Sequence, residues 1–222
     1  MKIGGLLKFS LIDYPGKIAA VIFTQGCNFR CPFCHNSELV LSELYGTLYS
    51  EQNILKLFNS RKGFLEGVVI TGGEPTIQEG LADFLKEIKR SGFSVKLDTN
   101  GSNPDVLNNL ITRKLIDYIA MDIKAPFDKY DTVTDSDVNI DDIRSSIGII
   151  ESSGLEYEFR TTVVQPFLNI KDLQTMGTYF KDKSRYKIVN FNAAEKIIDQ
   201  NLLQEEQYSE EDISSFQNIL RI

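Results

Sequence analysis

Ile18-Ala19-Ala20-Val21-Ile22-Phe23-Thr24 is a nearly continuous apolar run of strand length. Such a run suits a parallel strand buried on both faces. It leads directly into Cys27-Asn28-Phe29-Arg30-Cys31-Pro32-Phe33-Cys34-His35-Asn36, which holds all three cysteines of the chain at a C-x3-C-x2-C spacing. Three thiolates on one tight loop can hold one metal centre. A 4Fe-4S cubane ordinarily takes four thiolates. With Cys27, Cys31 and Cys34 as ligands, one iron stays open to an outside group, as catalytic metal sites keep an open position. Two blander readings stand beside this one. A structural zinc site would use the three thiolates plus His35, with the adjacent Cys34 and His35 in a strained tetrahedron. An ordinary electron-transfer cluster would lack its fourth cysteine.

Working outward, the same pattern recurs. Upstream, Asp13-Tyr14-Pro15-Gly16 is a turn signal. Downstream, strands are predicted over Gly67–Thr71, Phe93–Thr99, Tyr118–Ile123, Tyr157–Val164 and Tyr186–Phe191. Between them lie helical faces, such as Leu81, Phe84, Leu85 and Ile88 at i, i+3, i+4, i+7. Ser50, Asn103 and Asn169 are placed to cap helices, and Ser209 to Asp212 resembles a capping box. The polar stretch Ala125–Asn139 predicts a long loop. Strand and helix alternate about six times, which implies right-handed crossovers and a parallel sheet. A full eight-fold barrel takes about 250 residues. The prediction is therefore an α/β chain, 1–222, folded as one partial (β/α)6 TIM-like barrel with the cysteine loop after its first strand. The unusual polar motifs all follow strand ends: the cysteine loop, Gly72-Gly73-Glu74, Asp98-Thr99-Asn100 and Asp122-Ile123-Lys124. Active sites of barrels sit at that rim.

Composition narrows the classes. A net charge of -7 argues against nucleic acid and against an anionic membrane surface. No apolar run approaches a membrane span, and the N-terminus does not read as a signal peptide. Clustered cysteines do not make a disulfide framework, so a reducing cytoplasm is the expected compartment. With one histidine and no tryptophan, a second metal site is not expected.

The cysteine motif with an aromatic before its last cysteine, followed by a strand ending in Gly72-Gly73-Glu74-Pro75, resembles the radical S-adenosylmethionine superfamily. Leu11 to Gly16, Asp98-Thr99-Asn100-Gly101 and Met121-Asp122-Ile123-Lys124 extend the likeness to glycyl-radical-enzyme activating proteins. It looks closest to those of anaerobic ribonucleoside-triphosphate reductase, and next to pyruvate formate-lyase activating enzymes. The resemblance implies a 4Fe-4S cluster whose open iron binds S-adenosylmethionine, a flavodoxin- or ferredoxin-type reductant, and a glycyl radical enzyme as protein substrate. It implies that Phe33 lies against the adenine and that Gly72, Gly73 and Glu74 meet the methionine amino group. Lys124 and Arg160 would reach the carboxylate, Cys34 and Ile123 would belong to the same cofactor site, and His35 would support the loop or touch the nucleoside. Asp98, Thr99 and Asp122 would surround a monovalent cation. Asn192 stands where the formate-lyase branch carries a histidine near the adenosyl group. Each has a structural alternative: strand-end turns for Gly72-Gly73, turn caps for the aspartates, an exposed strand face for Arg160. The competing functions are a radical enzyme acting on a small molecule or on pyruvate formate-lyase, and a non-catalytic iron-sulfur or zinc module.

Overall fold

The computed structural model describes residues 1–192 and 196–220. Seven strands form one sheet, each beside its sequence neighbour: β1 (Ile3–Ser10), β2 (Ala19–Thr24), β3 (Gly67–Gly72), β4 (Ser94–Thr99), β5 (Tyr118–Asp122), β6 (Glu156–Val163) and β7 (Tyr186–Asn190). From β2 to β7 every pairing is parallel. These are the six strands the apolar runs predict. The partial-barrel reading holds, with one addition. β1 pairs antiparallel with β2 through the turn at Asp13–Gly16, so the cysteine loop follows the second strand of the sheet. β1 hides from pattern reading because Gly4 and Gly5 interrupt it. A Cβ on Gly5 would lie 3.2 Å from that of Phe23, so the close approach of the two strands selects a residue without one.

Among the described residues there are eight α-helices: α1 (Ser37–Val40), α2 (Glu51–Ser60), α3 (Leu81–Arg90), α4 (Pro104–Thr112), α5 (Tyr130–Thr134), α6 (Ile140–Ser152), α7 (Ile170–Gly177) and α8 (Glu210–Leu220). Alternate strand residues point to opposite faces. Ala20 and Ile22, Val68 and Ile70, and Val95 and Leu97 join the large core with Phe58, Phe84, Leu85 and Leu110 of the helices. Ala19, Val21 and Val69 point inward and form a small second core with Tyr14, Phe23 and Tyr118. Two buried faces explain the unbroken apolar sequence of β2.

The 125–139 stretch is not loop throughout. It contains α5, whose Tyr130 and Val133 are buried. Five helical residues are too few to display a period. The Asn169 capping box forms, and Ser209 and Asp212 bond reciprocally at the start of α8. Ser50 makes no side-chain cap bond, and Asn103 donates instead to Thr76 Oγ1 at 3.0 Å. Among the described residues, no helix is long and apolar enough to cross a membrane.

Candidate active site at the strand ends

The parallel strands deliver their polar motifs to one cavity of about 210 Å³. Cys27, Cys31 and Cys34 line it together with Phe33 and His35. Gly72, Gly73 and Glu74 arrive from β3, Asp98 and Thr99 from β4, and Asp122 and Lys124 from β5. Burial pushes the Cys27 thiol up to about 12 and that of Cys31 to about 11, with Lys124 partly offsetting the latter. Burial raises Cys34 as well. Protonated thiols in a shielded pocket are metal ligands in waiting, since a bound metal removes their protons.

The loop that carries them is fixed on three sides. Arg30 Nη1 donates to the carbonyls of Cys27 and Phe29 at 2.6 and 2.9 Å. Asn28 Oδ1 accepts from Asn100 Nδ2 at 2.9 Å, and Asn28 Nδ2 donates to Ser102 at 2.8 Å. The Asp199 N–H donates to the Pro32 carbonyl at 2.8 Å, so Asp199 holds the loop from a third side. Among the described residues, no three His, Cys, Asp or Glu side chains gather as a single-ion site requires. The His35 ring stacks on Phe191 at 5.2 Å. That arrangement disfavours the zinc reading. A cubane spreads its thiolates around a larger body, and three thiols on the wall of a cavity fit it.

The glycine motif is shaped by the chain itself. Gly72 has φ +113°, and a Cβ there overlaps the Thr24 backbone. A Cβ on Gly73 overlaps the Gly26 carbonyl. The Gly73 and Glu74 N–H groups donate to Thr24 and Gly26 oxygens at 2.9 and 2.8 Å. Both glycines are therefore required by contact with the entry to the cysteine loop, whatever they offer a ligand. Glu74 is wholly buried. Its Oε1 accepts from Thr76 N, Thr76 Oγ1 and Thr99 Oγ1, and its Oε2 from Asn100 N. Burial raises its carboxyl above the ordinary value despite these donors.

A chain of charges runs along the inner face of β4 to β6. Lys96 Nζ lies 2.6 Å from Asp98 Oδ1, and Arg160 Nη2 3.3 Å from Asp98 Oδ2. Arg160 Nε donates to Asp122 Oδ1 at 2.9 Å, and Lys124 Nζ to Asp122 Oδ2 at 3.1 Å. Burial alone would raise Asp122, but Arg160 and Lys124 outweigh it and hold the carboxyl well below its usual range. Burial likewise opposes the charges on Lys124 and Arg160, and Asp122 restores them.

Three expected contacts fall elsewhere. Arg160 meets anions, but they are the protein's own carboxylates, and it does not line the cavity. Ile123 is fully buried in the outer core, because it alternates with Asp122 and Lys124 along the chain. Asn192 is exposed and outside the lining. Thr71, Asn36 and Thr162 line the cavity unforeseen. Thr162 was findable, since it sits two residues past Arg160 on the same strand face.

These features define a parallel half-barrel with a thiol-lined pocket at its strand ends. The family described as the radical SAM superfamily matches residues 21–179. A Methanocaldococcus jannaschii protein named as a glycyl-radical enzyme activating enzyme is 36% identical over 195 residues, covering 85% of this chain and 79% of that one. The pyruvate formate-lyase-activating enzyme of Clostridium pasteurianum is 33% identical over 127 residues, 55% of this chain and 52% of its own length. The chain spans about half of that relative. The chain belongs to the radical SAM superfamily and, on this kinship, to its glycyl-radical enzyme activating enzymes. The structure of Streptococcus suis SuiB bound to S-adenosylmethionine superposes with a TM-score of 0.71 over 90% of this chain and 46% of that one. At 14% identity that likeness speaks for the fold alone.

Proposed function

We propose that this chain reductively cleaves S-adenosylmethionine and places a glycyl radical on a partner enzyme, anaerobic ribonucleoside-triphosphate reductase. One observation carries the reading: three thiols line a cavity whose other walls bring Gly73, Asp122 and Lys124 from neighbouring strand ends. Bound there, a 4Fe-4S cluster and S-adenosylmethionine supply a one-electron cleavage that yields a 5'-deoxyadenosyl radical, methionine and hydrogen-atom abstraction from glycine.

The chain's own part is to bind and orient. Cys27, Cys31 and Cys34 would hold the cluster and would leave one iron for the methionine amino and carboxylate groups. Lys124, kept charged by Asp122, sits where that carboxylate gains a counter-charge. Phe33 lines the cavity, and its backbone would lie against the adenine. A flavodoxin- or ferredoxin-type protein supplies the electron, in a reducing cytoplasm.

Anaerobic reconstitution with iron and sulfide, then reduction, tests the chemistry through 5'-deoxyadenosine formation. Mixing with anaerobic ribonucleotide reductase or pyruvate formate-lyase tests the partner through the glycyl doublet in electron paramagnetic resonance. A doublet with the reductase alone is expected. A doublet with pyruvate formate-lyase alone reassigns the partner, and a full cluster without cleavage overturns the enzyme.

A further inference from the structure

Lys96 is a buried charge beside this site that the proposed reaction does not use. It lies in the middle of β4 with only 2% of its surface exposed. Burying an unpaired ammonium is costly, so its partner decides its role. That partner is Asp98 Oδ1, at 2.6 Å, and the ammonium also sits 5.8 Å from the centroid of the Tyr118 ring. Asp98 Oδ2 faces Arg160 at 3.3 Å, and the two oxygens of Asp122 face Arg160 and Lys124 at 2.9 and 3.1 Å. All four carboxylate oxygens thus face a nitrogen cation. The Thr99 hydroxyl is committed too, donating to Glu74 at 2.7 Å.

These are the side chains that the sequence likeness assigns to a monovalent metal ion, and their donors do not fit one. Lys96, Arg160 and Lys124 set three positive charges against the two of Asp98 and Asp122. Glu158, further along the same face, pairs with Lys187 and lies 3.8 Å from Arg160, so the two residues add one charge of each sign. The cluster is already one positive charge in excess, which suits a cofactor carboxylate. A metal ion would add a second excess charge within a few ångströms of an ammonium, where repulsion is only partly screened.

We infer that Lys96 is a built-in cation: its ammonium takes the charge-balancing place of a monovalent metal ion at Asp98 and makes the cofactor site independent of sodium and potassium. For its ligand-binding arm this rests on the proposed cofactor reading; its folding arm does not. Lys96 acts through Asp98 and Arg160, so it is a positioning residue.

The test compares sodium, potassium and choline chloride at equal ionic strength. In the folding arm, the metal-free protein is melted in each salt. Wild type is expected to give one Tm in all three. Lys96→Ala, which empties the space beside Asp98, is expected to melt higher in sodium or potassium than in choline. Lys96→Gln, which keeps the length and loses the charge, serves if the alanine variant does not fold. In the binding arm, S-adenosylmethionine affinity of the reconstituted protein is titrated. Wild type is expected to be salt-identity independent. The variant should weaken about tenfold in choline and recover in sodium or potassium. A wild type whose Tm or affinity depends on a metal cation overturns the inference, as does a folded variant indifferent to cation identity. If S-adenosylmethionine does not bind at all, the cofactor reading fails while the melting comparison still decides the role of Lys96.

Discussion

Glu74 shows how a residue in the wall of a site can serve it by holding neighbouring strand ends together. Four donors converge on its two oxygens, from the ends of β3 and β4. One of them, the Asn100 backbone, belongs to the residue whose side chain holds Asn28 of the cysteine loop. Glu74→Gln keeps the shape but turns one acceptor into a donor. With Oε1 still accepting three bonds, the new amide hydrogens face the Asn100 N–H. The expected loss is about 1–3 kcal/mol, the cost of a buried polar group left unsatisfied, read as a lower urea midpoint of the metal-free protein. An unchanged midpoint would show that these bonds carry no stability. Gly73 makes a sharper case. A methyl group there overlaps the Gly26 carbonyl, a backbone atom that cannot swing aside. Gly73→Ala should therefore displace the residue before Cys27 and lower the iron bound after reconstitution well below that of wild type. Full iron loading in a folded Gly73→Ala protein would mean the loop tolerates the shift.

At the scale of elements, α5 does work that no sequence pattern announces. The Tyr130 ring meets Phe29 edge-on at 6.3 Å, and the Arg30 N–H donates to the Thr134 carbonyl at 2.9 Å. The Tyr130 hydroxyl accepts from the Lys124 N–H at 3.1 Å. One short helix thus ties the cysteine loop to the strand end that presents Lys124. Tyr130→Phe keeps the ring contact and removes the acceptor. The cluster should assemble normally, by iron content and absorption spectrum, while S-adenosylmethionine affinity falls several-fold; equal affinity would confine Tyr130 to packing. The parallel strands were legible because each gathers apolar residues in a short run and β2 to β5 each lead into a polar motif, and both properties are local. The cysteines, Asp122 and Lys124 were legible for the same reason. β1 was not, because Gly4-Gly5 and the exposed Leu7, Lys8 and Phe9 break any burial pattern. Nor could sequence show that Gly72 and Gly73 are required by Thr24 and Gly26, that Arg160 spends its charge on Asp98 and Asp122, or that Asn192 stays outside. Each of these depends on contacts between strands far apart in the chain.

Across the whole molecule, the half-barrel divides its inner face. The β2 and β3 side is apolar, packed around Tyr14, Val21 and Val69. The β4 to β6 side holds Lys96, Asp98, Asp122 and Arg160. The outer core holds the sheet and helices together, so the inner face is free to carry charge, and its ion pairs make stability depend on pH. In the unfolded chain Asp122 takes up a proton near pH 4. In the folded chain Arg160 and Lys124 prevent this despite burial. The unfolded state then binds more protons, so stability falls as pH falls. The Asp122 contribution is whole above about pH 4 and drains away as the pH drops toward its depressed folded value. Glu74 has the opposite sign. Burial raises its folded value, so its contribution is present below its ordinary range and is lost as pH rises through the raised one. Asp122→Asn isolates the first effect. At pH 7 it should be less stable than wild type, because Arg160 and Lys124 lose their shared counter-charge. Below about pH 4 the unfolded wild-type chain takes up a proton that the folded chain refuses, so wild type loses stability and the gap narrows. Urea midpoints should stay a fixed distance apart from neutral pH to about pH 4 and draw closer toward about pH 3. A gap that stays constant to the acid end of that range would mean that the carboxylate charge contributes nothing and that Asp122 acts only by its shape.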